Sequence, residues 1–111
     1  MGPKQLQLID EIKTRLSSLN PDRIILFGSH ALGTAGEESD IDLIVVLNKE
    51  EPSSSFREKM ADTIVVRKLL SDINREVALD VLVYSRIEWQ SLLDSRSSFS
   101  REILEKGITL Q

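Results

Sequence analysis

Apolar residues recur along this chain in two periods, and the alternation between them sets out the elements. Leu6, Ile9, Ile12, Leu16 and Leu19 follow helical spacing, so residues 4–19 are predicted to form an amphipathic helix. Asn20-Pro21-Asp22 ends it and turns the chain. Residues 23–27 are a short apolar run closed by Gly28, which suits a buried strand. Ser29 to Leu32 is predicted as a short helix with Gly33 as its terminator, and residues 34–39 as a small, polar loop. A second strand, rich in β-formers, is predicted over 40–47. An acidic loop with Pro and Ser follows, from Asn48 to Ser54.

Ser55-Phe-Arg-Glu58 matches a capping box and opens a helix to about Asn74. Its inner stripe is expected to be Phe56, Met60, Ile64, Leu69 and Ile73. Residues 77–84 form a third apolar run, interrupted by Asp80. Ser85-Arg-Ile-Glu88 is a second capping box, and its helix runs to about Leu93. A last helix is predicted over Ser97–Lys106, stopped by Gly107. Three strands with helices between them give a compact α/β or α+β plan, with strand directions left open.

Composition narrows the chemistry. The 111 residues fit one domain, 1–111, and the hydrophobic fraction of 41% is that of a globular protein. There is no cysteine and only one histidine, so disulfides, thiolate sites and His-rich zinc sites are excluded. A bound metal must be held mainly by carboxylates, which favours magnesium or manganese. The net charge of −4 argues against general attraction to nucleic acid. No signal-peptide pattern or membrane span is visible, so a cytoplasmic protein is expected.

Strand period puts Asp40 and Asp42 on one face with Ile44 and Val46, and Ile41, Leu43 and Val45 on the other. Two adjacent carboxylates repel, and a divalent cation removes that penalty. The pair therefore reads either as a metal clamp or as two solvated residues at a strand end. Asp80 sits among Val77, Ala78, Leu79, Val81, Leu82 and Val83, where an unpaired charge would be costly if buried. It is either paired with an arginine such as Arg67 or Arg75, or set beside Asp40 and Asp42 as a third oxygen ligand. Gly28-Ser29 permits close backbone approach, and a serine hydroxyl with the amides after it can bind phosphate. A plain turn with Ser29 as N-cap fits equally. The glycine spacing is not that of a P-loop. Trp89 and Phe99 are expected to pack the core or a partner rather than stack on a base, and Lys49-Glu50-Glu51 to be a solvated loop.

Taken together, Ile25-Leu26-Phe27-Gly28-Ser29 followed by Ser39-Asp40-Ile41-Asp42-Leu43-Ile44-Val45 resembles the signature of the DNA polymerase β-like nucleotidyltransferase superfamily. Asp80 falls where that superfamily carries its third carboxylate. The resemblance covers about Arg23 to Tyr84, and the short chain looks like a minimal nucleotidyltransferase. It implies a small mixed β-sheet flanked by helices, the palm-like fold of that superfamily. One departure stands out: many minimal members have arginine after the Gly-Ser pair, and here it is His30. Histidine lacks the permanent charge and rigid donor fork of arginine.

The resemblance further implies a mechanism. Asp40, Asp42 and Asp80 would be catalytic carboxylates and metal ligands for two magnesium ions, with manganese as a substitute. Gly28 and Ser29 would steady the phosphates of ATP or another nucleoside triphosphate. A nucleoside monophosphate, AMP from ATP, would pass to a hydroxyl acceptor. With no space here for an acceptor domain, that hydroxyl is expected on a partner protein. Minimal members are often paired with small helical HEPN proteins in toxin–antitoxin modules, and the resemblance implies such a partner here. The competing reading is a binding module that neutralises such a toxin without catalysis. Homo- and hetero-oligomers both stay open.

Overall fold

The computed structural model describes residues 3–28, 41–51 and 55–111. The short helix and loop expected over 29–39 lie outside them, as do Ser29, His30 and Asp40. The described elements, in chain order, are helix α1 (Pro3–Leu16), a 3-10 turn (Ser17–Leu19), strands β1 (Arg23–Phe27) and β2 (Ile41–Val46), and helices α2 (Phe56–Leu69) and α3 (Ser71–Glu76). Strand β3 (Leu79–Tyr84), helices α4 (Arg86–Asp94) and α5 (Ser98–Lys106), and strand β4 (Ile108–Thr109) complete the order.

The strands form one mixed sheet in the order β3-β2-β1-β4. β1 and β2 are antiparallel, with Phe27 opposite Asp42 and Arg23 opposite Val46. β2 and β3 are parallel, with Ile41 opposite Leu79 and Val46 opposite Tyr84. A parallel pair needs a long crossover, and α2 with α3 supplies it. β4 escapes the sequence pattern because it has only two residues and both are exposed. Gly107 brings it in: a Cβ there would stand 2.5 Å from the Ile103 carbonyl oxygen and 3.1 Å from Ile25 Cγ2. Only glycine lets the chain turn so close to α5 and β1.

The sheet buries both faces. One carries Ile24, Leu26, Ile41, Leu43, Val45, Val81 and Val83 under α1, α2 and α3, through Ile12, Leu16, Val66, Leu70 and Ile73. The other carries Ile25, Ile44 and Val46 under α4 and α5, through Trp89 and Ile103. The alternation read from β2 is therefore observed, with Ile44 and Val46 on one side and Ile41, Leu43 and Val45 on the other. Trp89 packs the core as expected.

Caps fix the helix entries. Ser85 Oγ accepts the Glu88 amide at 3.2 Å, and the Glu88 carboxylate accepts the Ser85 amide at 2.8 Å, a complete capping box. Ser55 Oγ likewise accepts the Glu58 amide at 3.2 Å. The Glu58 carboxylate binds Lys49, which also bonds Asp62 at 3.2 Å. Lys49 therefore ties its loop to α2 and is not part of a freely solvated run. Asn20 ends the 3-10 turn in the left-handed region, φ 48°, and its amide bonds the Ser17 carbonyl.

The inner stripe of α2 differs from the expected one. Met60 and Ile64 are exposed and Val66 and Leu70 are buried in their place, whereas Ile73 reaches the core and Leu69 packs against it as expected; the Phe56 side chain lies outside the described residues. Met60 and Ile64 share a helix face, but the helix is rolled so that Lys59, Asp62 and Thr63 turn toward the protein. Those polar residues find partners there. Lys59 Nζ donates to the Val83 carbonyl and to Glu88 Oε1 (3.2 Å), and lies 4.6 Å from the Tyr84 ring centre. Ion pairs and a cation–π contact thus hold the first half of α2, and apolar burial holds the second. Helix α2 also ends at Leu69, and a turn at Leu70 separates it from α3, rather than running unbroken to Asn74.

Leu43 lies at the centre of this arrangement with no exposed surface. Leu43→Ala is expected to cost about 2–5 kcal/mol of unfolding free energy, through lost burial and the cavity left behind. Urea denaturation monitored by Trp89 fluorescence measures it.

Candidate active site

The candidate site forms where two strands leave the shelter of α4 and α5. Asp42 is opposite Asp80 on the parallel neighbour and opposite Phe27 on the antiparallel one. Paired residues on adjacent strands share a face and stand about 4.8 Å apart. Phe27, Asp42 and Asp80 therefore make a row across the sheet. The next row on that face is Ile25, Ile44 and Leu82, which belong to the core cluster beneath α4 and α5. One end of the face is closed by apolar packing, and the carboxylates stand at the other. Phe27 seals the boundary. Its ring meets Phe99 of α5 edge-on, with centroids 5.7 Å apart.

Gly28 sets the space beside Asp42. Its φ is +75°, in the left-handed region, and a Cβ built on it would overlap Asp42 Oδ2 and come within 3.2 Å of Cγ. The carboxylate of Asp42 thus lies against the bare backbone of the turn that follows β1. This provides the close approach that the sequence suggested for Gly28, and its neighbour proves to be a carboxylate.

Asp80 is exposed, so the cost of burying a lone charge does not arise. It is the second residue of β3, near the strand's open end, rather than the midpoint of a buried run. Among the described residues it forms no ion pair with Arg67 or Arg75. Those arginines flank a cavity bordered by Leu79 and Val81, which belong to the other face of the sheet. The pairing of Asp80 with Arg67 or Arg75 is thereby set aside. Asp42 and Asp80 are brought together, and Gly28 is placed beside them. Asp40 and Ser29 lie outside the described residues. Among the described residues no cluster of three metal-ligating side chains occurs.

Further along the same face, Tyr84 continues the line of Asp80 and Leu82 and tilts against Trp89, with ring centroids 6.3 Å apart. Burial, and then the neighbouring Glu88 carboxylate, push the Tyr84 hydroxyl above its ordinary range. It stays protonated through the neutral range and adds no negative charge to this face. Sequence reasoning did not reveal how Lys59 braces β3 beside it, because the long-range contact of α2 with Val83 and Glu88 leaves no local signal.

The chain thus has a four-stranded mixed sheet covered by helices, with Asp42 and Asp80 at an open strand end beside the Gly28 turn. The chain belongs to the nucleotidyltransferase domain family, whose model matches residues 9–110. It is also similar to a chain from Methanocaldococcus jannaschii that is provisionally named a protein adenylyltransferase. The two are 29% identical over 103 residues, covering 88% of this chain and 97% of the relative. A crystal structure described as a toxin–antitoxin with AMP-PNP shares the fold, with a TM-score of 0.54 and 21% identity. That match covers 93% of this chain and 72% of the other. Among the described residues no helix is long and apolar enough to cross a membrane.

The contact between Gly28 and Asp42 yields a thermodynamic test. Gly28→Ala is expected to cost about 1–2 kcal/mol from backbone strain at positive φ. Displacement of the Asp42 carboxylate adds to this. In an Asp42→Ala background the second part vanishes, so a double-mutant cycle by thermal unfolding should show non-additivity of about 0.5–3 kcal/mol.

Proposed function

We propose that this single domain, residues 1–111, transfers a nucleoside monophosphate, AMP from ATP, to a hydroxyl on a partner protein. The observation that carries the proposal is the parallel register that sets Asp42 beside Asp80, with the glycine backbone of residue 28 against the Asp42 carboxylate. Two carboxylates so placed repel each other, and the fold holds them at an open strand end where their charge can be used. The donors are carboxylate oxygens side by side, with bare backbone at Gly28 against one of them, and such oxygens fit a hard divalent cation.

Asp42 and Asp80, with Asp40, would hold magnesium or manganese. When bound, the metal neutralises the triphosphate and stabilises charge on the entering and leaving oxygens. The chain's own residues do the rest. Gly28, with Ser29, lets the triphosphate approach the backbone closely and steadies its outer phosphates. The acceptor hydroxyl oxygen forms a bond to the α-phosphorus as the bond to the pyrophosphate oxygen breaks. The hydroxyl proton passes to the Asp80 carboxylate and on to water. Because Asp80 is exposed, an acceptor held by another protein can reach it. Phe27 and Phe99 keep water from the apolar side of the row. Position and electrostatics carry the rate.

The similarity to the provisionally named protein adenylyltransferase supports a protein acceptor. The toxin–antitoxin neighbour with AMP-PNP supports the use of ATP and a toxin partner, which we take to be a helical HEPN protein. In this reading the chain is the antitoxin and works in the cytoplasm.

The test is transfer of label from α-labelled ATP to the partner encoded beside this chain, with magnesium present. Asp42→Ala and Asp80→Ala should each lower transfer at least about 100-fold, as expected when a positioned charge is lost from a transferase site. EDTA should abolish it. Transfer that persists in Asp42→Ala would sink the proposal. A tight complex with no transfer in the unaltered protein would favour neutralisation by binding alone.

Like-charge repulsion gives a second expectation. Asp80→Asn should leave the metal-free protein as stable as the parent or slightly more so, while abolishing the rise in Tm that magnesium gives the parent. Differential scanning fluorimetry with and without magnesium reads both effects.

A further inference from the structure

The reverse side of β3 carries a second feature that the transfer reaction does not use. A cavity of about 320 Å³ opens there, floored by Leu70, Leu79 and Val81. Its polar lining is Arg67, Ser71, Asn74 and Arg75, all of them exposed. Every one of these can donate hydrogen bonds, and no carboxylate lines the cavity. In a chain of net charge −4 that is a pronounced local reversal.

The donors are also uncommitted. Among the described residues, Arg15, Lys49, Lys59 and Arg86 each form an ion pair, whereas Arg67 and Arg75 form none. Of the nearby acids on α3, Asp72 is tied to Arg15 at 3.2 Å, and Glu76 does not line the cavity. Asn74 Oδ1 accepts the Leu79 amide at 2.9 Å, which holds its side chain at the edge of β3 and leaves its own amide hydrogens for a ligand. Another cavity of similar size among the described residues, about 290 Å³, lacks this character. Glu50 lines it, and its one cation, Arg86, is committed to Asp22 and Asn48.

We infer that the cavity between α2, α3 and β3 binds a compact oxyanion, a phosphate or carboxylate carried on an apolar body. The guanidinium groups of Arg67 and Arg75 take the charge, and Leu70, Leu79 and Val81 take the body. A guanidinium matches the planar donor geometry that such groups prefer, and two line this cavity. The volume suits a small molecule rather than a polymer. The position gives binding a consequence. Leu79 and Val81 are the neighbours of Asp80 in β3, so a ligand seated on them braces the strand that carries this carboxylate, from the opposite side of the sheet.

Two-dimensional NMR of the labelled full chain tests the inference, with inorganic phosphate, phenyl phosphate, benzoate and phenol as probes. Phenyl phosphate should bind at least about tenfold more tightly than inorganic phosphate or phenol, since it alone combines a dianion with an apolar body. Comparable binding of benzoate would identify the charge, rather than the phosphate group, as what is recognised. Weaker binding of benzoate would identify the dianion, and either result fits the site. Shifts should centre on Arg67, Ser71, Asn74 and Arg75. Arg67→Ala and Arg75→Ala should each weaken phenyl phosphate at least fivefold. The Tm of each variant should stay near the parent value, because both side chains are exposed. Shifts centred on Gly28 and Asp42, or unchanged affinity when Arg67→Ala and Arg75→Ala are combined, would overturn the inference. These readouts do not depend on nucleotidyl transfer, so failure here and failure there are separable.

Discussion

The structure depends on one pairing: β2 beside β3, parallel, in the register that sets Asp42 next to Asp80. Parallel pairing is built from the middle of a domain, because the crossover must pass over one face and bury it. Here α2 and α3 form that crossover, and Val66, Leu70 and Ile73 complete the core on that side. Once the register is set by the apolar rows above, two like charges have no choice but to stand together. A slip by one residue would turn Asp80 to the other face and Val81 out of the core. Core packing therefore enforces the repulsion at the strand ends.

The division of the sheet into two clusters explains where chemistry can occur. Apolar rows from Ile44 to Tyr84 lie under α4 and α5, and the row of Phe27, Asp42 and Asp80 is the first that these helices leave open. Phe27 and Phe99 mark the limit of the dry region. Beyond it, Gly28 offers backbone without a side chain. A polar site at the rim of a packed sheet costs little folding energy, since its charges keep some water until a ligand arrives. The same economy holds for Asp80, whose exposure makes a compensating arginine unnecessary.

Helix α2 shows how polar side chains can roll a helix away from its apparent stripe. Met60 and Ile64 offered an apolar line, but Lys59 and Asp62 make the inward contacts of that half, with Val83, Glu88, Tyr84 and Lys49. These contacts join α2 to β3, to α4 and to the loop after β2. They stiffen the strand that carries Asp80. The exposed Met60, Ile64 and Val65 are left on the surface as a consequence of that roll.

The amino-acid sequence by itself determined the local elements. Alternation in β2, the inward spacing of Ile9, Ile12 and Leu16 in α1 (though Leu6 of the same expected stripe is exposed and Leu8 is buried), the Ser85–Glu88 box and the bounds of β1 all come from periods and caps acting over a few residues. The nucleotidyltransferase family was legible too, because Gly28-Ser29 and Asp40-Ile41-Asp42 are close in the chain. What only the tertiary structure decided was non-local: the antiparallel and parallel directions, the meeting of Asp42 with Asp80, the roll of α2, and the placement of Arg67 and Arg75 on the reverse face. Strand neighbours and helix rotation follow from how whole apolar faces fit one another. No short window of sequence contains that information. β4 shows the limit most simply, since its two exposed residues become a strand only through the approach of Gly107 to Ile25.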